Sequence, residues 1–167
     1  MAPDPTRAIL PGSYDPVTFG HLDVIERASR LFETVVVAVV NLPVRKGKTL
    51  FTAEQRCGFI EQAVEQAGFK GVTVRPFSNL VVEFAEQNNA RAIVKGLRAI
   101  SDFEYEFEMN QLNRLQAPDV ETVYLMSSPQ FSFLSSSGVR ELATFGGKID
   151  DLVPASVATA LKERLGR

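Results

Sequence analysis

The chain has 167 residues, 45% hydrophobic and 23% charged, a balance that fits one folded domain with a substantial core and excludes a disordered or low-complexity chain. A formal net charge of −2 gives no broadly basic surface for nucleic acid or an anionic membrane, so any anionic ligand must be met by local cations. One cysteine (Cys57) and one histidine (His21) exclude an internal disulfide and argue against a zinc cage.

Met1 to Thr6, with two prolines, reads as a frayed end. Strand-like runs rich in Val and Ile follow at Arg7 to Leu10, Thr34 to Val40, Gly71 to Arg75, Ala92 to Lys95 and Thr122 to Met126. Helical patterns separate them. Leu22, Ile25, Ala28 and Leu31/Phe32 make one apolar stripe, and Phe59, Ile60, Ala63, Val64 and Ala67 another, with Cys57 as a small core residue. Thr52 with Gln55, and Ser101 with Glu104, have the spacing of capping boxes and predict helices starting just after Thr52 and Ser101. Further helices are expected over Leu80 to Gln87, Ser136 to Thr144 and Pro154 to Leu165. The longest aliphatic run, Val35 to Val40, is far below the roughly 20 residues that span a bilayer, and no signal-peptide layout is present, so a cytoplasmic protein is expected.

Strands alternating with helices of this length predict an α/β fold, with one parallel sheet and helices on both faces. In such sheets ligands sit beyond the carboxyl ends of the strands, where the strand order reverses. Three unusual segments follow the first, fourth and fifth strands: P-G-S-Y-D-P, K-G-L-R and S-S-P-Q-F-S-F. They are therefore expected to line one crevice. In the first, Gly12 permits a tight turn, Ser13 can donate to a phosphate, and Thr18-x-Gly20-His21 places an imidazole at a helix start, where unpaired N–H groups attract anions. In the last, the serines among Phe131, Ser132, Phe133, Leu134, Ser135, Ser136 and Ser137 and the helix beginning near Ser136 can bind phosphates, with Arg140 one turn in facing the same anion. Gly47-Lys48-Thr49 imitates the end of a P-loop but lacks the upstream glycine, and no G-x-G-x-x-G occurs.

The T-x-G-H element and the late S-S-S-x-x-R resemble the nucleotidyltransferases with an H/T-x-G-H signature. More closely, P-G-S-Y-D-P-V-T-x-G-H, K-G-L-R-A-x-x-D-F-E-Y-E and F-S-F-L-S-S-S resemble the bacterial phosphopantetheine adenylyltransferase family, in order and over nearly the whole chain. The resemblance implies a Rossmann-like five-stranded fold, transfer of AMP from ATP to 4'-phosphopantetheine with Mg²⁺, and a homohexamer with coenzyme A as a feedback ligand.

The same resemblance implies residue roles. His21 is the transition-state stabiliser, Ser13 touches both substrates, and the backbone beside it, at Tyr14, touches ATP. Lys95 meets phosphopantetheine, whereas Gly96, Leu97, Arg98 and Glu106 meet ATP, as does the segment from Phe131 to Ser137. Val81 lies against the pantetheine arm. One basic residue after the second strand contacts the attacking phosphate: spacing from Pro43 favours Arg45 and residue type favours Lys46, with Lys48 also in reach, and Lys46 is preferred. No protein metal site is expected, because the metal would ride on phosphates and water. Two other readings stay open: a related enzyme acting on nicotinamide mononucleotide or an alcohol phosphate, and a nucleotide-binding module without turnover.

Overall fold

The computed structural model describes residues 4–44 and 47–166. In chain order the elements are β1 (Asp4–Gly12), α1 (Phe19–Leu31), β2 (Thr34–Val40), α2 (Ala53–Ala67), β3 (Val72–Phe77), α3 (Val81–Gln87), β4 (Ala90–Leu97), α4 (Ile100–Gln116), β5 (Glu121–Met126), α5 (Ser136–Thr144) and α6 (Ala155–Arg164). The strands pair in parallel in the order β3-β2-β1-β4-β5. The order reverses between β1 and β4, where Ala8 and Ile9 register with Ala92 and Ile93.

Side-chain alternation on the strands feeds two cores. Ala8, Leu10, Val35, Val37, Val39, Ala92 and Val94 face a layer built from α1, α2, α5 and α6. Ile9, Val36, Ala38 and Ile93 face the other side, where Val82, Phe84 and Ala85 of α3 cover them with Ala117 and Val120. The helices therefore lie on both faces, as the alternating pattern requires, and the β1–β4 seam is buried on both sides.

Helix starts separate a local signal from a tertiary one. At α2 the Thr52 hydroxyl accepts from the Gln55 N–H at 3.2 Å and the Gln55 side chain accepts from the Thr52 N–H at 3.0 Å, so both halves of the expected box form. At α4 the expectation fails. The helix begins at Ile100 with Ala99 as its cap, because the Asp102 carboxylate reaches back to the Arg98 N–H at 3.1 Å and Ser101 is already inside the first turn. The amino end also differs: β1 starts at Asp4, whose N–H donates to the Asn89 carbonyl at 2.8 Å, so Asp4 to Thr6 belong to the sheet rather than to a frayed end. Cys57 is buried as expected, whereas Leu31 and Ala67, assigned to apolar stripes, are exposed. Among the described residues no helix is long and apolar enough to cross a membrane.

Candidate active site

Beyond the carboxyl ends of β1 and β4 lies a cavity of about 470 Å³. Its wall draws on all three unusual segments: Gly12, Ser13, Tyr14, Thr18, Gly20 and His21 from the first, Lys95, Gly96 and Arg98 from the second, and Phe131 with Leu134 to Ser137 from the third. The α4 residues Asp102, Tyr105 and Glu106 close it. A separate hollow of about 390 Å³ between Phe133, Leu142 and Phe145 shares Leu134 and Ser135 but has no cation in its wall. Charge therefore makes the first the candidate site for an anion.

Two helices begin on this cavity. Ser135 caps α5 by accepting from the Gly138 N–H at 3.0 Å, and Thr18 caps α1. The positive dipole ends of both helices thus converge on one space. Lys95 and Arg98 add two cations, each held at a fixed place. Lys95 Nζ lies 3.3 Å from Glu106 Oε1. Arg98 Nε lies 3.2 Å from Asp102 Oδ2, and its Nη1 donates to the Leu134 carbonyl at 3.0 Å, which stitches the K-G-L-R segment to the serine-rich one.

His21 stands at the third position of α1, where a capping box ordinarily carries Glu or Gln. The Thr18 N–H donates to His21 Nδ1 at 3.0 Å. Nδ1 is then an acceptor, and the neutral ring carries its proton on Nε2. Thr18 Oγ1 lies 3.0 Å from the same nitrogen and accepts from the His21 N–H at 3.4 Å. The pair that starts the helix therefore also fixes the tautomer and tilt of the ring.

Tyr14 supports the ring from the side, with centroids 5.0 Å apart and edge-on. Its backbone is left-handed (φ 47°), its hydroxyl donates to the Leu10 carbonyl at 2.8 Å, and burial pushes the phenol far above its ordinary pKa. It is a neutral prop. A Cβ on Gly12 would come within 2.9 Å of the Tyr14 ring, so this turn needs glycine.

Beneath the turn, Asp15 is 3% exposed. Its carboxylate accepts from the Leu50 and Phe51 N–H groups at 2.8 and 3.0 Å and pairs with Arg140 at 3.1 Å. Arg140 also donates to the Asp15 carbonyl. Its guanidinium is thus directed to the first loop, not to an anion in the cavity as its position in S-S-S-x-x-R suggested. Across the cavity, Ser128 Oγ donates to the Asp23 carboxylate at 2.8 Å, holding the segment after β5 against α1.

The cytidylyltransferase-like family matches this chain over residues 9–142. A phosphopantetheine adenylyltransferase of Synechococcus sp. (strain JA-3-3Ab) is 53% identical over 158 residues, spanning 94% of this chain and 96% of that protein. One from Alkaliphilus oremlandii is 48% identical over 157 residues, spanning 94% and 98%. The chain belongs to the phosphopantetheine adenylyltransferase family. In fold it is similar to a Vibrio parahaemolyticus protein assigned as a nicotinate-nucleotide adenylyltransferase, with TM-score 0.71 at 17% identity over 97% of this chain and 95% of that one. That likeness agrees with the Rossmann-like sheet expected from the sequence.

Of the positions singled out from the family pattern, Ser13, Tyr14, His21, Lys95, Gly96, Arg98, Glu106, Phe131, Leu134, Ser135, Ser136 and Ser137 share the cavity wall. Leu97 is 6% exposed in the core, and Phe133 is 73% exposed beside the apolar hollow. Ser132 turns back to the Pro129 carbonyl at 3.0 Å. Val81 packs against the second core rather than the cavity. Arg45 and Lys46 lie outside the described residues, and Lys48 is exposed. Sequence reasoning gave no role to Asp15, Arg56 or Tyr105, and read Ser101 only as a helix cap. For Asp15 the signal was present, since it stands inside P-G-S-Y-D-P.

Proposed function

We propose that this protein transfers the adenylyl group of ATP to 4'-phosphopantetheine, giving dephospho-coenzyme A and pyrophosphate, as its family membership implies. A phosphate oxygen of the acceptor attacks the α-phosphorus of ATP; the new P–O bond forms as the bond to the β-phosphate bridging oxygen breaks, and pyrophosphate leaves with that electron pair. Such transfers need little covalent help from protein, so alignment and charge stabilisation supply the rate. The observation that carries the reading is the convergence of two helix starts, Lys95, Arg98 and a tautomer-fixed His21 on one cavity.

In this scheme Nε2–H of His21 donates to the α-phosphoryl oxygens as their charge grows. The first turn of α5 and Arg98 hold the outgoing phosphates, and Lys95 with Ser13 faces the acceptor. Lys46, or its neighbour Arg45, meets the attacking phosphate. Glu106, Gly96, Leu97, Tyr14 and the segment from Phe131 to Ser137 meet ATP, and Val81 the pantetheine arm.

Among the described residues no three His, Cys, Asp or Glu side chains converge as a metal cage, and the two carboxylates on the wall are already ion-paired. This donor set fits Mg²⁺ that arrives on the triphosphate and keeps phosphate and water ligands. Its contribution is charge neutralisation.

The 167 residues act as one cytoplasmic nucleotidyltransferase domain in a homohexamer, with coenzyme A competing in the same cavity. An α4 with no buried residue, and with Ile100 and Leu115 82% and 78% exposed, supports a further copy as its cover. Sedimentation should give a hexamer, and a monomer would end that part. Pyrophosphate release from ATP should require phosphopantetheine and Mg²⁺, and should not respond to nicotinamide mononucleotide or an alcohol phosphate. His21→Ala should keep ATP affinity and lose turnover on the order of 10²-fold or more. ATP binding without turnover under any acceptor would leave a binding module instead.

A further inference from the structure

Arg56, on α2, is 0% exposed. Among the described residues its side chain donates to four backbone carbonyls: Nε to Phe51 at 3.1 Å, Nη1 to Ser13 at 2.6 Å and to Val40 at 2.8 Å, and Nη2 to Asn41 at 3.0 Å. A guanidinium stays charged at any working pH. Burial lowers its pKa, and the nearby Asp15 charge opposes that. Burying such a charge costs several kcal/mol before its contacts repay it, and an apolar side chain would fill the volume at no such cost. What an apolar side chain cannot do is tie three separate segments together with one rigid fork. Those segments are the turn after β1, the end of β2, and the residue before the cap of α2.

The geometry points to Arg56 as a positioning residue for the reaction: it holds the Ser13 turn, from beneath, in the place where the cavity needs it. Ser13, Gly12 and Tyr14 all line the cavity, and Tyr14 in turn touches the His21 ring. The far side of the same turn is pinned independently, by Arg140 on Asp15 and by Ser136 Oγ on the Pro16 carbonyl at 2.8 Å. Without Arg56 the turn keeps its anchors at Asp15 and Pro16 and loses the one at Ser13. Apart from Ser13 and Tyr14, the ATP side of the wall is braced elsewhere, through Arg98, Asp102 and Leu134. The defect should therefore appear in turnover while the nucleotide still binds.

The catalytic half of this inference rests on the proposed reaction; the structural half does not, and the test separates them. Arg56→Met matches the volume and removes every donor; Arg56→Lys keeps the charge without the fork. With ATP and phosphopantetheine, kcat should fall roughly 100-fold in Arg56→Met and about 10-fold in Arg56→Lys, the scale expected of a misplacement near 1 Å. Calorimetric ATP stoichiometry should stay at one per chain, with Kd within about 3-fold of wild type. Hydrogen exchange should quicken over peptides covering residues 11–18 and 38–44 and stay unchanged over α3 and α6. If kcat falls only in proportion to lost ATP stoichiometry, Arg56 is merely structural and the proposal is overturned. It is equally overturned if exchange over 11–18 is unchanged in both variants, a result that stands even if wild type proves to use another acceptor. Wild type with no turnover would instead sink the proposed reaction, while the exchange result still decides the role of the fork.

Discussion

Thr18→Ala tests whether the helix cap and the reactive ring are one device. The substitution removes the hydroxyl that accepts from the His21 N–H at 3.4 Å and approaches Nδ1 at 3.0 Å, and it leaves the backbone N–H that donates to Nδ1 at 3.0 Å. The accepted bond is long, so the loss of cap stability belongs at the low end, about 0.5–1 kcal/mol. For a chain of this size that lowers Tm by roughly 1–4 °C. The tautomer survives, because the backbone donor remains, but the ring loses one of its two tethers from Thr18. A fall in kcat of about tenfold, or roughly 1.4 kcal/mol of barrier, is expected with KM for ATP little changed. Thr18→Ser restores the hydroxyl and should recover turnover to within about twofold. Steady-state kinetics on both variants, with thermal melts alongside, decide the matter. Wild-type kcat in Thr18→Ala would show that the hydroxyl does not hold the ring. A Thr18→Ser variant as slow as Thr18→Ala would refute the argument from the other side.

Tyr14 predicts an alkaline limit to stability. Its phenol is buried and its pKa is raised by desolvation, so above about pH 10 the unfolded chain loses a proton that the folded chain keeps. Stability from this group is complete below that pH and falls as pH rises beyond it. Melting temperature against pH should bend downward above about pH 10, and Tyr14→Phe should bend less; identical curves would remove Tyr14 from the account. Asp15→Ala should be far more damaging than an exposed carboxylate change, because it strands the Leu50 and Phe51 N–H groups and leaves Arg140 without its carboxylate. A loss of about 3–5 kcal/mol is expected, read as a Tm drop on the order of 10 °C.

Local chemistry made much of the fold legible. The Val- and Ile-rich runs fell on the five strands, and Thr52 with Gln55 announced α2 because both partners of the box are neighbours in sequence. The same spacing at Ser101 and Glu104 misled, since the turn is set by Asp102 and Arg98 before the serine can act. The crevice was legible for a topological reason: segments that follow strands on both sides of an order reversal must meet. Arg56 was not. In sequence an arginine on a helix looks solvated, and three of its four acceptors lie 43, 16 and 15 residues away. Arg140 misled for a related reason, because its partner Asp15 is 125 residues distant, whereas the serine cap beside it is adjacent.

Because the order reversal puts β1 and β4 side by side, neither end of the polypeptide holds the whole wall of the cavity. His21 comes early in synthesis and the Ser136 helix tip late, so the cavity wall is complete only once α5 has been made.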